Sequence, residues 1–212
     1  MKSILILSTC YDAASYYTSR WAARLHNKLV KQQKTICMHY DATSICRAGE
    51  AIGEAIDRAD YVIFYGHGSR DEWIALPELP MAQPPVSSSP LVDVNSVAML
   101  KERRVYANCC SSLGGLGQQY VAAYPAAEFV GYDQEFDFDF ATESHFEEVV
   151  KNSIVAYING TPAKQVATDL RSNWAGLRDR FAHGDLKYEK TCHTAMLVAD
   201  QNSKRVGSLP TF

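Results

Sequence analysis

Two short stretches carry side chains that can do nucleophilic chemistry together. One is His67-Gly68, closing the run "YVIFYGHG"; the other is Cys109-Cys110, closing "RRVYANCC", with Cys110 standing 43 positions after His67. A thiol attacks a carbonyl only as the thiolate, and the amine that leaves needs a proton from a placed acid. Histidine serves both needs near neutral pH. The oxyanion that forms must meet fixed donors, and a glycine lets a substrate come close to the backbone. The amides of Gly68 and Cys110 can supply that pair. Alone, a His-Gly after an apolar run is more often a turn, and a Cys-Cys more often packing; the weight lies in their pairing. The other histidines (His26, His39, His145, His183 and His193) have no such partner in the pattern. None of the six cysteines forms a C-x-x-C pair, which speaks against a structural zinc site.

The elements that must hold these residues alternate between two periods. "SILILS" is a continuous apolar run of strand type, and after it Tyr17, Trp21, Leu25 and Leu29 recur at helical spacing. "TICMHY" follows, then a helical segment with Ala48, Ile52, Ile56 and Ala59, then "DYVIFYGHG". Strands apolar throughout, separated by amphipathic helices, indicate a parallel sheet covered on both faces. In such a sheet, ligands bind beyond the carboxyl ends of the strands, where His67 and Cys110 both fall.

Residues 77–90 hold five of the eight prolines and read as a long exposed Pro/Ser-rich loop. A short helix is expected around Val94 to Leu100, a fourth strand at "RRVYANCC", a helix with Leu116, Tyr120 and Tyr124, and a fifth strand at "AAEFVGYD". "QEFDFDF" reads as an acidic, aromatic loop. Two helices follow: one with Phe146, Val150, Ile154 and Ile158, opened by Ser144 and Glu147 at capping-box spacing and stopped at Asn159-Gly160; the next with Thr161 as N-cap and Pro162 at the first helical position. "TAMLVAD" is assigned a sixth strand and "QNSKRVG" a turn.

A length of 212 residues suits one domain over 1–212, and 47% hydrophobic with 21% charged residues is ordinary for a globular protein. A formal charge of −3 argues against nucleic acid as the main partner. The apolar run at the start is too short for a signal-peptide core or a membrane span, so a cytoplasmic protein with no membrane partner is expected.

"VIFYGHGS" followed by "YANCCSS" resembles the paired active-site blocks of the caspase-like cysteine peptidases, the group that includes caspases, metacaspases and CHAT-domain proteases. "YGHGS" is similar to the metacaspase Y-S-G-H-G block and "YANCCSS" to F-D-C-C-H-S. The resemblance covers residues 61–70 and 104–112 as motif and about 1–180 as layout. It implies a three-layer α/β/α fold with a mostly parallel six-stranded sheet in the order 2-1-3-4 and later strands outside. It also implies a variable loop over residues 69–91. It makes Cys110 the nucleophile, with Cys109 in the small-residue place before it and the alternative nucleophile should the strand end one residue earlier, His67 the acid/base, and Gly68 and Cys110 the oxyanion donors.

In metacaspases an Asp two places before the nucleophile helps hold a basic substrate side chain. Here that place is Asn108, so the substrate-binding candidates are Asn108 itself with Asp133 and Asp12, and further Asp137 or Asp139. The implied activity is endopeptidase, acting on a peptide or protein through a Cys-His dyad and a thioester. No metal or organic cofactor is required, although some metacaspases bind calcium, and an activating protein partner fits the family. The alternative is a catalytically silent domain of the same fold serving as a protein-binding scaffold. Nucleotide binders and thiol phosphatases are set aside: "STCYDAAS" has no glycine, "LGGLGQ" lacks the Walker lysine, and neither "CSSLGGL" nor "CYDAASY" supplies the Arg of Cys-x5-Arg.

Overall fold

A computed structural model describes residues 2–32, 35–44, 52–76, 89–184 and 192–209. The chain opens with strand β1 (Lys2–Ser8), helix α1 (Ala13–Lys31), β2 (Thr35–Asp41), α2 (Gly53–Asp57) and β3 (Tyr61–Tyr65). Three short strands come next, β4 (His67–Gly68), β5 (Glu72–Leu76) and β6 (Ser89–Asp93). Then follow β7 (Arg104–Asn108), α3 (Gly115–Ala123), β8 (Glu128–Tyr132), α4 (Glu143–Ile158), α5 (Ala163–Ala182), α6 (Cys192–Arg205) and β9 (Val206–Leu209).

The main sheet runs β2-β1-β3-β7-β8-β9, parallel except for β9, which pairs antiparallel with β8. It is thus an α/β structure with a mostly parallel six-stranded sheet, as the apolar runs indicate. Strand alternation divides the core in two. Ile4, Ile6, Ile63 and Tyr106 face one cluster with Trp21 and Leu25 of α1, Phe146 of α4 and Trp174 of α5. Leu5, Leu7, Val62 and Ala107 face the other, with Ile56 of α2, Leu116 of α3 and Trp73 of β5. Strand order reverses between β1 and β3, since β2 lies to one side of β1 and β7 beyond β3, and a crevice forms past the carboxyl ends at such a switch point.

Several expectations need correction. "TAMLVAD" is not the sixth strand but part of α6, because Ala195, Ala199 and Asn202 are buried at helical spacing; the sixth strand is β9. A short apolar run of good helix formers fits either period, and packing against α5 decides it. The variable loop assigned to residues 69–91 contains β5 and β6, which build an antiparallel sheet in the order β4-β5-β6. Residues 77–88 of the Pro/Ser segment, Cys46 and Ala48 lie outside the described residues.

The helix expected at 94–100 is a single 3-10 turn, Val97–Met99. The capping box at Ser144 and Glu147 is not formed: Thr142 is the N-cap, and Glu147 turns to Arg24 of α1, with Oε2 at 2.6 Å from Nη2. α5 starts one residue late, with Pro162 as N-cap. The stop at Asn159-Gly160 is as read, Gly160 taking φ +104. Among the described residues no helix is long and apolar enough to cross a membrane.

Candidate functional site

His67 leaves the end of β3 through Gly66, which the packing requires to be small: a Cβ there would stand 2.3 Å from Thr9 Oγ1. Pairing of β4 with β5 (His67 opposite Ile74, Gly68 opposite Trp73) then fixes the backbone under the imidazole. The His67 side chain is 36% exposed, yet its Nε2 is shielded from solvent and lies 2.9 Å from Asp12 Oδ2. The carboxylate oxygen stands off the line of a well-directed N–H···O bond. Tyr11 stacks on the imidazole, ring centroids 5.4 Å apart at 28°.

Asp12 comes from the carboxyl end of β1 and is the N-cap of α1. Its Oδ1 accepts from Ser15 N at 2.8 Å, and Ser15 Oγ in turn accepts from Asp12 N, a closed capping box. A D-x-x-S pattern just before the α1 stripe is the sequence signal that identifies this cap; it was there to read. Nothing in the sequence pairs Asp12 with His67, because the contact depends on the β1–β3 neighbourhood.

Of the two adjacent cysteines, Cys109 is sealed in the cluster under α3 at 1% exposure, while Cys110 is half-buried and reaches the surface. Burial pushes the Cys110 thiol up, the Glu135 and Asp137 carboxylates add to this, and backbone contact with Phe136 opposes it. Its Sγ lies 3.7 Å from the Phe136 carbonyl oxygen, and among the described residues no hydrogen bond joins Cys110 to His67. Beside His67 stands Tyr11, whose hydroxyl pKa is pushed by burial above the ordinary tyrosine value. Sequence reasoning missed Tyr11 altogether.

A raised thiol pKa predicts that iodoacetamide labels Cys110 slowly at neutral pH, with the rate climbing about tenfold per pH unit and levelling off later than for an ordinary thiol, while Cys109 stays unlabelled in the native protein. Peptide mapping by mass spectrometry across a pH series checks this. A rate already flat below pH 7 would show a preformed thiolate instead.

The turn after Cys110 is held tightly. Ser111 adopts φ +52, which costs a non-glycine residue roughly 1–2 kcal/mol, and donates its N–H to Gln134 O at 2.7 Å. Ser112 is fully buried; its Oγ accepts from Tyr132 N at 3.2 Å, and a Cβ on Gly131 would come within 2.3 Å of that oxygen. Among the described residues the Cys110 amide has no backbone acceptor.

Gly68 touches the same turn. A Cβ at Gly68 would meet Cys109 Sγ at 2.8 Å and the carbonyl oxygens of Cys110 and Glu72 at 3.2 Å. Gly68→Ala is therefore expected to push β4 off the Cys110 turn and to cost about 1–3 kcal/mol, since the three near neighbours leave no room for the methyl. Urea denaturation with unchanged m-value checks this; a loss under about 0.5 kcal/mol would refute the close approach.

The remaining substrate-binding candidates separate. Asn108 is fully buried on the face of Tyr106, and among the described residues neither polar atom of its side chain has a hydrogen-bond partner, so it does not border the groove. Asp12 is engaged by Ser15 and His67. Asp133 is exposed and lines a cavity of about 290 Å³ beside the Cys110 turn, with Arg70, Ser111, Leu113, Gly114 and Gln118. Asp137 is exposed and Asp139 caps the turn at Phe140–Thr142 by accepting from Thr142 N at 3.0 Å. No protein-family model and no curated protein matches this chain, so the site stands on its geometry and on the two motifs alone.

Proposed function

We propose that this chain is a cysteine endopeptidase with the caspase-like fold, acting on peptide or protein substrates. The observation that carries the reading is that a partly exposed cysteine, Cys110, and a partly exposed histidine, His67, stand past the carboxyl ends of the neighbouring strands β7 and β3. The sheet order also fits the implied fold.

In this reading Cys110 Sγ loses its proton to His67 and attacks the scissile carbonyl carbon. The amides of Gly68 and Cys110 meet the oxyanion. His67 returns the proton to the leaving nitrogen as the C–N bond breaks, which leaves a thioester on Cys110. Water, deprotonated by His67, then releases the acid and restores the thiol. Because the thiol pKa is raised, the resting site holds a thiol, and the proton transfer belongs to the substrate complex.

The scaffold alternative draws on one observation: Cys110 lies against the Phe136 backbone and makes no hydrogen bond to His67. A peptide-library digest comparing the unmodified chain with Cys110→Ala decides between them. Cuts present with the first and absent with the second support the peptidase. No cuts with either, at equal folding, support the scaffold.

A further inference from the structure

We propose that Asp12 is a positioning residue for His67, its carboxylate holding the imidazole with the proton on Nε2 so that Nδ1 is the basic nitrogen turned to the reaction. The inference rests on the peptidase reading for its kinetic consequence but not for its structural one.

Three features converge on it. First, Nε2 is shielded from solvent, and among the described residues Asp12 Oδ2 at 2.9 Å is the acceptor beside it; a buried N–H left with nothing is costly. Second, the carboxylate is itself fixed. Ser15 is buried and binds Asp12 Oδ1 through both N and Oγ at 2.8 Å, while the same Oγ accepts from the backbone N–H groups of Tyr11 and Asp12. Oδ1 is committed to the cap, so Oδ2 is the oxygen delivered to His67. Third, Tyr11 covers one face of the ring and limits its tilt.

The Asp12 carboxyl also stays charged. Burial raises its pKa, but the Ser15 hydrogen bonds and His67 outweigh this and hold it below the ordinary carboxylate value. The start of a 19-residue helix favours a negative charge at this place. When His67 takes the thiol proton, the imidazolium forms beside a fixed anion. The off-axis approach is no obstacle to that step, because a charge pair needs no linear bond.

Asp12→Asn separates this role from capping. Asparagine caps helices as well as aspartate, so its oxygen keeps the Ser15 bond and its NH2 is turned to His67 Nε2. A donor facing Nε2 favours the opposite tautomer. In the full-length chain, long-range 1H–15N spectra of His67 are expected to show mainly Nε2–H in the unmodified protein and mainly Nδ1–H in Asp12→Asn, with helix content unchanged. On a peptide found by the library digest, kcat is expected to fall about 10²- to 10⁴-fold with KM within about threefold. Asp12→Ser, which caps without reaching the ring, should give a mixture of tautomers.

An unchanged tautomer in Asp12→Asn overturns the proposal, as does unchanged kcat where the unmodified chain cleaves peptide. If the unmodified chain cleaves nothing, the peptidase reading falls, and the tautomer spectra still decide the role of Asp12.

Discussion

Replacing His67 by alanine is expected to lower kcat on any peptide the unmodified chain cleaves by about 10²- to 10⁴-fold, the range general acid–base catalysis supplies. The loss falls on kcat because the imidazole handles protons in the transition state and adds little ground-state binding. The fold tolerates the change. The His67 side chain is over a third exposed and faces the groove, and what holds β4 is its backbone pairing with β5. The variant also removes a partner of the Asp12 carboxylate while leaving its Ser15 bonds, so the Asp12 pKa should rise and α1 should stay capped. Steady-state kinetics with circular dichroism as the folding control measures this. Unchanged kcat in a folded variant would remove His67 from the mechanism and favour the scaffold reading.

The groove follows from the sheet's topology more than from any one motif. β1 and β3 are neighbours whose continuing strands lie on opposite sides, so their carboxyl ends part, and the turn Tyr11-Asp12 meets His67 in the gap. The Cys110 turn arrives from β7, next to β3, and is tied to β8 through Ser112 and to the acidic loop through Gln134. Asn202 of α6, fully buried, donates to Asp137 O at 2.7 Å and holds that loop from the far side. Every residue assigned chemistry is thus held by an element on each side of it, while the groove itself stays open enough to leave Cys110 half-exposed.

How much of this was legible depends on whether the deciding interaction is local. The parallel strands were readable because a strand buried on both faces is apolar at every position, as "SILILS" and "YVIFY" are. The helices α1, α4 and α5 were readable from stripes such as Trp21, Leu25 and Leu29, which the structure buries. His67 and Cys110 could be proposed because both follow strand ends. What failed was decided at a distance. "TAMLVAD" has the composition of either element, and only its fit against α5 makes it helix. Glu147 matched a cap pattern but is drawn across to Arg24 of α1. Asn108 was placed by analogy beside the substrate, but strand alternation turns it into the interior with Tyr106. The Asp12–His67 contact joins residues 55 positions apart, beyond the reach of any local rule.

The hairpin after His67 gives the largest expected change in stability. Trp73 is fully buried, and its ring stacks on Phe64 of β3 with centroids 4.6 Å apart and planes 7° from parallel. It is the residue opposite Gly68 in the β4–β5 pairing, so it pins the small antiparallel sheet to the main one directly beneath the site. Trp73→Ala removes the largest side chain of that cluster and leaves a cavity that Phe64, Val92 and the α2 side chains cannot fill without moving. A cost of about 3–5 kcal/mol is expected. Trp73→Phe, which keeps a ring to stack and removes an indole N–H that has no hydrogen-bond partner among the described residues, should cost less than half of that. Urea denaturation of both variants measures the difference. The consequence for chemistry follows from position. With Trp73 truncated, β5 no longer holds β4 in register, Gly68 drifts from the Cys110 turn, and His67 loses its fixed distance from Asp12. Trp73→Ala should therefore lower activity under conditions where the protein is still folded, whereas Trp73→Phe should largely retain it. Equal stability of the alanine variant and the unmodified chain would show that the hairpin is not what holds His67 and Gly68 in place.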